Sequence, residues 1–233
     1  MLRLEALHLR QGGFTLEADW DLPDGGLCAV IGPSGGGKST LMQAIAGFVP
    51  PASGRVLLEG RDLTGLAPGA RGVSMLFQDN NLFPHLSVAR NVGLGLSSGR
   101  LSAAQRVRVD SVLARVGLEG MGARRPGELS GGQQSRAALA RVLIEDRPLV
   151  LLDEPFAALG PGLRAEMAGL VREMLVAAGR VVLMVTHEPR DAIAVADMAV
   201  FVADGCAEAP METRALLADP PEALRRYLGG VVG

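Results

Sequence analysis

Cysteine is nearly absent from this chain: there are two, Cys28 and Cys206, far apart and without metal-ligand spacing. That excludes a cysteine-based zinc site, and both read as reduced, buried side chains. Aromatic residues make up only 3% of the sequence, so Ala, Val and Leu must fill the core. No charge of one sign dominates, since the formal net charge is -2 and the pI is near 6.0. Without a global basic field, no nucleic-acid partner is expected. Long hydrophobic runs are missing too: Val181–Val185 and Met198–Ala203 are strand-length, well short of the roughly 18 to 20 apolar residues of a spanning helix. The N-terminal stretch carries Arg3, Glu5 and Arg10 with no apolar segment of the signal-peptide kind. The expectation is a cytoplasmic chain that reaches a membrane only through a partner.

What is present is the grammar of an α/β fold. Phe14, Leu16, Ala18, Trp20 and Leu22 alternate with polar residues, as in a half-buried antiparallel strand. Leu27–Ile31 is apolar throughout, as a parallel strand covered on both faces should be. A helical stretch, Ser39–Ala46, follows it, and Val56–Glu59 and Val73–Phe77 read as further strands. Beyond Gln78 the texture becomes helical. Ser87 and Ser102 look like N-caps, Ser102 forms a capping box with Gln105, and Val109, Val112, Leu113 and Val116 give an apolar stripe stopped by Gly117. Buried strands return at Leu149–Leu152 and Val181–Val185, with the amphipathic helix Leu163–Ala178 between them. Strand, crossover helix and strand in this order predict a parallel sheet.

Three motifs carry chemistry. Gly32-Pro33-Ser34-Gly35-Gly36-Gly37-Lys38-Ser39, followed by Thr40, fits the phosphate-binding loop G-x-x-x-x-G-K-S and stands between a strand and a helix, where its mechanism requires it. Its glycines let backbone N–H groups converge on phosphate oxygens. Lys38 would bridge the β- and γ-phosphates of ATP, and the Ser39 hydroxyl would ligate Mg²⁺. Leu149–Leu152 ends in Asp153, placed to hold the cation, and Glu154, placed to polarise the attacking water. The third motif is Leu129-Ser130-Gly131-Gly132-Gln133 at the start of a helix, Gln134–Glu145.

This last motif resembles the signature of the ABC ATPases. The order of Gln78, the signature, Leu151-Leu152-Asp153-Glu154-Pro155 and Thr186-His187 behind the phosphate loop extends the resemblance over almost the whole chain. The resemblance implies a P-loop NTPase (RecA-like) parallel-sheet core with an N-terminal antiparallel β subdomain, residues 1–82 and 147–233, and an inserted α-helical subdomain, 83–146. It makes Gln78 the glutamine that senses Mg²⁺ and water, and His187 the switch histidine at the γ-phosphate. It makes Ser130, Gly131, Gly132 and Gln133 a grip on ATP held by the opposite subunit of a head-to-tail homodimer. It also implies transmembrane permease subunits as partners, with a periplasmic binding protein acting indirectly, at the cytoplasmic face of the inner membrane. A chromosome-maintenance ATPase would need a long coiled-coil insertion between Gln78 and Leu129, where there is room only for a compact lobe. A non-hydrolysing binding module is the remaining alternative.

Two positions depart from the family pattern. Where it usually reads S-A-L-D, this chain has Ala157-Ala158-Leu159-Gly160, so the acid that couples the two ATP sites is missing. The aromatic that stacks on adenine would fall near Arg10 or Gln11. Arg10 could stack as a planar guanidinium. Phe14 is the alternative platform, although its strand pattern favours the core. The segment Val73–Leu96, especially Gln78, Asn80, Asn81 and His85, resembles the ATPase of bacterial thiamine importers. A thiamine or thiamine-phosphate cargo is therefore expected, with ferric-iron, polyamine or anion importers as alternatives.

Overall fold

The computed structural model describes residues 1–229, without the side chains of Pro189 and Arg190. Leu2–Gln11 forms β1 and Phe14–Leu22 forms β2, an antiparallel pair. In β2 the predicted alternation holds, with Leu16, Ala18, Trp20 and Leu22 buried. β1 instead changes parity. Leu2 and Leu4 are buried, then Leu7 and Leu9, and the register slips between Leu4 and Leu7 around Ala6 at φ 42°. The bulge keeps both halves of the strand facing the core.

The chain continues through β3 (Gly26–Ile31), α1 (Lys38–Ala46), β4 (Ser53–Leu58), β5 (Arg61–Asp62) and β6 (Val73–Leu76). Helices α2 (Val88–Gly93), α3 (Ala103–Arg115) and α4 (Gly131–Ile144) follow. Then come β7 (Leu149–Asp153), α5 (Pro161–Val171), β8 (Val181–Val185), α6 (Pro189–Val195) and β9 (Met198–Ala203). The described part ends with β10 (Cys206–Ala207), β11 (Met211–Glu212), α7 (Thr213–Ala218) and α8 (Glu222–Gly229). The helix expected over Leu163–Ala178 is α5 running into a π-helical turn, Arg172–Val176.

The predicted parallel sheet is the order β9-β3-β8-β7-β6, every neighbour parallel. Through β10 it joins the antiparallel layer β2-β1-β4-β5. Side chains of β7 explain its unbroken apolar run. Val150 and Leu152 join one core with α4, α5 and the helices α2 and α3, while Leu149 and Leu151 join the core on the other face with α1 and the β layer. Each such fully buried aliphatic side chain contributes roughly 1.5–3 kcal/mol. A third, smaller cluster ties Ala29, Ile31 and Phe201 to Ala192, Leu216 and Leu224.

Register sets where the loops emerge. Val30 pairs with Val185, Val185 with Asp153, and Leu76 with Leu152. Gly32, Gln78, Glu154 and His187 follow within two residues of those partners, so four loops leave the sheet at one edge. That edge, at the carboxyl ends of parallel strands, is where open α/β sheets bind ligands. The far end of α1 is fixed by the buried Arg71, whose guanidinium donates to the carbonyls of Ala44, Ile45, Thr64 and Leu66. Among the described residues no helix is long and apolar enough to cross a membrane. One expectation fails here. Cys206 is exposed, because β10 is only two residues long and turns Ala207, not Cys206, toward the core.

Candidate functional site

The loop between β3 and α1 packs before it binds anything. Gly32 has φ 149°, and a Cβ there would lie 2.0 Å from the Val202 carbonyl oxygen; one on Gly36 would lie 2.9 Å from the same oxygen. Strand β9 thus presses the loop into shape from below, a constraint beyond the approach of backbone to phosphate. The N-cap of α1, Gly37, is left-handed with no side-chain cap, and the first turn holds no acid. The leading N–H groups of α1 therefore face the cleft unpaired, with the positive end of the helix dipole behind them.

Lys38 donates to the carbonyls of Gly32 and Pro33, both at 2.8 Å. Two of the ammonium's three donors are spent holding Nζ under the loop, and the third is left for an acceptor in the cleft. Burial pulls the Lys38 pKa down, while the charges of Glu154 and Asp153 push it up.

A strand ordinarily sends consecutive side chains to opposite faces. Asp153 and Glu154 escape that rule because Glu154 adopts φ 49°, with its N–H bonded to the Val185 carbonyl at 3.1 Å. Both carboxylates consequently turn toward the phosphate loop. Asp153 is 4% exposed, and its Oδ1 has no hydrogen-bond partner. Burial raises its pKa most, the Ser39 hydroxyl opposes this, Glu154 raises it further and Lys38 lowers it. A buried, unpartnered carboxylate oxygen beside a serine hydroxyl is the donor set a hard divalent cation such as Mg²⁺ takes.

Of the predicted residues, Ser34, Gly35, Gly37, Lys38, Ser39, Thr40, Gln78 and Glu154 line one cleft of about 340 Å³. Gln78 Nε2 stands 3.5 Å from Glu154 Oε2, and His187 Nδ1 stands 3.4 Å from the same oxygen. Gln11 and Phe14 complete the lining. Phe14 answers both expectations at once: it packs on the core yet its half-buried ring borders the cleft, where Gly37 leaves room for it. Of the two positions where the family pattern would put the adenine-stacking aromatic, Arg10 is exposed and does not line the cleft, whereas Gln11 does.

Ser130, Gly131, Gly132 and Gln133 are not part of this lining. Helix α4 starts at Gly131, not at Gln134, with Ser130 as its N-cap. The Ser130 hydroxyl accepts from Gln133 N–H at 3.3 Å, and Gln133 Oε1 accepts from Ser130 N–H at 2.9 Å. Accepting leaves the hydroxyl proton free to donate, and the N–H groups of Gly131 and Gly132 are uncapped, so the turn is suited to an anion. Gly132 lies against the Ala158 carbonyl, so the Ala157–Gly160 segment runs beside this second site.

A family model described as "ABC transporter" matches residues 16–157. The thiamine import ATP-binding protein ThiQ of Cereibacter sphaeroides is 61% identical over 230 residues, covering 98% of this chain and all of that protein. Its counterpart in Ruegeria sp. is 55% identical over the same span. Among solved structures, the dimeric ATP-binding cassette MJ0796 in a post-hydrolysis state with ADP and Pi superposes with a TM-score of 0.82 at 27% identity, covering 92% of this chain and 99% of the other.

Proposed function

From the premise that the chain belongs to the ABC transporter ATP-binding family, we propose that it hydrolyses ATP as the motor of a thiamine importer, working as a head-to-tail homodimer under a permease. The observation that carries the reading is the convergence of Lys38, Ser39, Gln78 and Glu154 on one cleft that the signature turn does not reach. One copy holds two halves of different sites, and two copies facing each other complete both. The dimeric neighbour supports that arrangement.

In this reading the triphosphate lies along the uncapped start of α1, held by loop N–H groups and the third donor of Lys38. Ser39, Asp153 and Gln78 would hold Mg²⁺, which when bound supplies positive charge at the β- and γ-phosphates. Glu154 accepts a hydrogen bond from the attacking water, and His187 and Gln78 both steady its carboxylate at Oε2. Phe14 offers the base its ring. Ser130, with the N–H groups of Gly131 and Gly132, grips the γ-phosphate bound by the partner copy.

We further assign residues 83–146 to a helical subdomain that carries the permease. Two grooves, of about 400 and 580 Å³, open along α2 and α3 on this lobe, where Ala89, Val109 and Leu113 contribute apolar wall. Nearby Phe83 is 44% exposed, its ring edge-on to His85. Peripheral attachment to the inner membrane follows from that docking.

The test is the transporter reconstituted with its binding protein and assayed for ATPase stimulation by thiamine, ferric ion, putrescine and sulfate. Thiamine alone should stimulate; stimulation by another cargo with none by thiamine would overturn the cargo and leave the motor. Glu154→Gln should lower turnover about 10²- to 10⁴-fold while ATP still binds. Such a variant should elute as a dimer with ATP, and normal hydrolysis by it would remove Glu154 from its role.

A further inference from the structure

We propose that Tyr227, on the C-terminal helix α8, is a positioning residue for His187, resting on the ATPase reading above. Tyr227 is the sole tyrosine of the chain. Its hydroxyl donates to the His187 backbone carbonyl at 3.0 Å. The ring packs beside Leu224 and Leu228 onto the small cluster built around Ile31, Ala192 and Phe201. The donor is thus fixed to the central sheet and not to a wandering terminus.

The bond acts on the peptide group that follows His187. That group is held at both ends. Its carbonyl is taken by Tyr227, and its N–H, belonging to Glu188, donates to Thr186 Oγ1 at 3.1 Å. Thr186 is itself buried and donates its own N–H to the Val30 carbonyl of β3 at 3.2 Å. With that plane fixed, the backbone freedom that could displace the His187 side chain is reduced. The constraint matters because the side chain has little packing of its own: it is 57% exposed and stands 3.4 Å from Glu154. A polar string therefore runs from α8 through His187 to Glu154 and on to Gln78. Burial, with the charges of Glu188 and Glu154, pushes the phenol pKa above its ordinary value, so the hydroxyl keeps the proton it donates.

Tyr227→Phe removes the hydroxyl and keeps the ring, so α8 should stay docked. In the reconstituted transporter kcat should fall about threefold to tenfold, the range of one lost hydrogen bond, with KM for ATP unchanged and the melting midpoint lowered by no more than the few degrees one hydrogen bond contributes. In a His187→Ala background measured in single turnover, the same substitution should cost nothing further, because the group it positions is gone. Unchanged kcat overturns the proposal. So does an equal loss in both backgrounds, or a lowered melting midpoint with turnover intact, which would make Tyr227 an anchor for α8 alone. A wild-type protein that hydrolyses no ATP would instead sink the ATPase reading, and it would do so before Tyr227 is changed.

Discussion

Gly160→Asp restores the acid that the family pattern usually carries, and the structure says what it should cost or gain. Gly160 is the N-cap of α5, with φ -70° and ψ 161°, extended backbone that any residue adopts. A Cβ built there meets nothing within 4 Å. The cap makes no side-chain hydrogen bond, and the first turn of α5 has no acidic residue. Pro161 at the first helical position has no N–H to satisfy, so an aspartate would reach the N–H of Gly162 or Leu163. Replacing a glycine cap contributes a few tenths of a kcal/mol, and the charge at the helix N-terminus about 0.3–1 kcal/mol. Reduced freedom of the unfolded chain adds about 0.4–1 kcal/mol. The sum is about 1–2 kcal/mol, or roughly 2–8 °C in melting midpoint for a chain of this size. A thermal melt at low and high salt reads it, the dipole share shrinking with salt. In permease-bound protein the same variant should sharpen the dependence of turnover on ATP, since the segment runs beside Gly132 of the signature. A destabilised variant would refute the reading of the cap, and a stabilised one with an unchanged Hill coefficient would refute the coupling.

Other consequences are as open to measurement. Burial holds the Asp153 pKa above its unfolded value, so its contribution to stability is fully present below the unfolded pKa and is lost as pH rises through the folded one. Relative to wild type without nucleotide, Asp153→Asn should therefore gain in urea midpoint as pH rises from acid to neutral, and should lose Mg²⁺-dependent turnover; a difference that does not change with pH would count against it. Gly32→Ala should cost about 3 kcal/mol and ATP binding, because its Cβ would meet the Val202 oxygen at 2.0 Å, whereas Gly35→Ala, with open space around it, should cost about 1 kcal/mol of backbone strain. Burial pushes the Cys28 thiol up to about 12 while Cys206 is exposed, so a maleimide should label one thiol per folded chain and two after unfolding; rapid double labelling of the native protein would contradict the fold around β3.

How much of this could be read beforehand follows from which signals are local. The buried strands β3, β7 and β8 announce themselves because both faces are covered, and the caps of α2 and α3 because a serine oxygen answers an N–H three residues on. Strand β1 hides because its bulge at Ala6 shifts the leucines from even to odd positions, leaving no period of two over its length. The closing helix α8 has only Ala223, Leu224, Tyr227 and Leu228 as its stripe, too short to separate from chance without α6 and β9 to pack on. Tertiary contact also decides Cys206 and Phe14, one turned out by a two-residue strand, the other set at the rim of the cleft by a glycine across from it.

At the site the chemistry was legible and the strain was not. Three of the positive-φ residues that are not glycine, Asn80, Asn81 and Glu154, stand in the loops that leave β6 and β7 at the ATP edge. Asparagine tolerates that conformation and so hints at it; glutamate does not. Each such residue costs about 1–2 kcal/mol and persists only where its surroundings hold it. Arg141 of α4 holds the first two, donating to the carbonyls of Asn80 and Asn81 at 3.2 and 2.9 Å. The Val185 carbonyl holds the third through the Glu154 N–H. The signature helix thus supports the loop that carries Gln78, and strand β8, which leads to His187, supports the loop that carries Glu154. From β8 the Glu154 loop is reached through one hydrogen bond, and from α4 through the Arg141 bonds to Asn80 and Asn81 and then that of Gln78 Nε2 to Glu154 Oε2. The signature helix, the Gln78 loop and the strand before His187 are thereby tied to Glu154, and the tie lies in backbone conformations that no motif spells out.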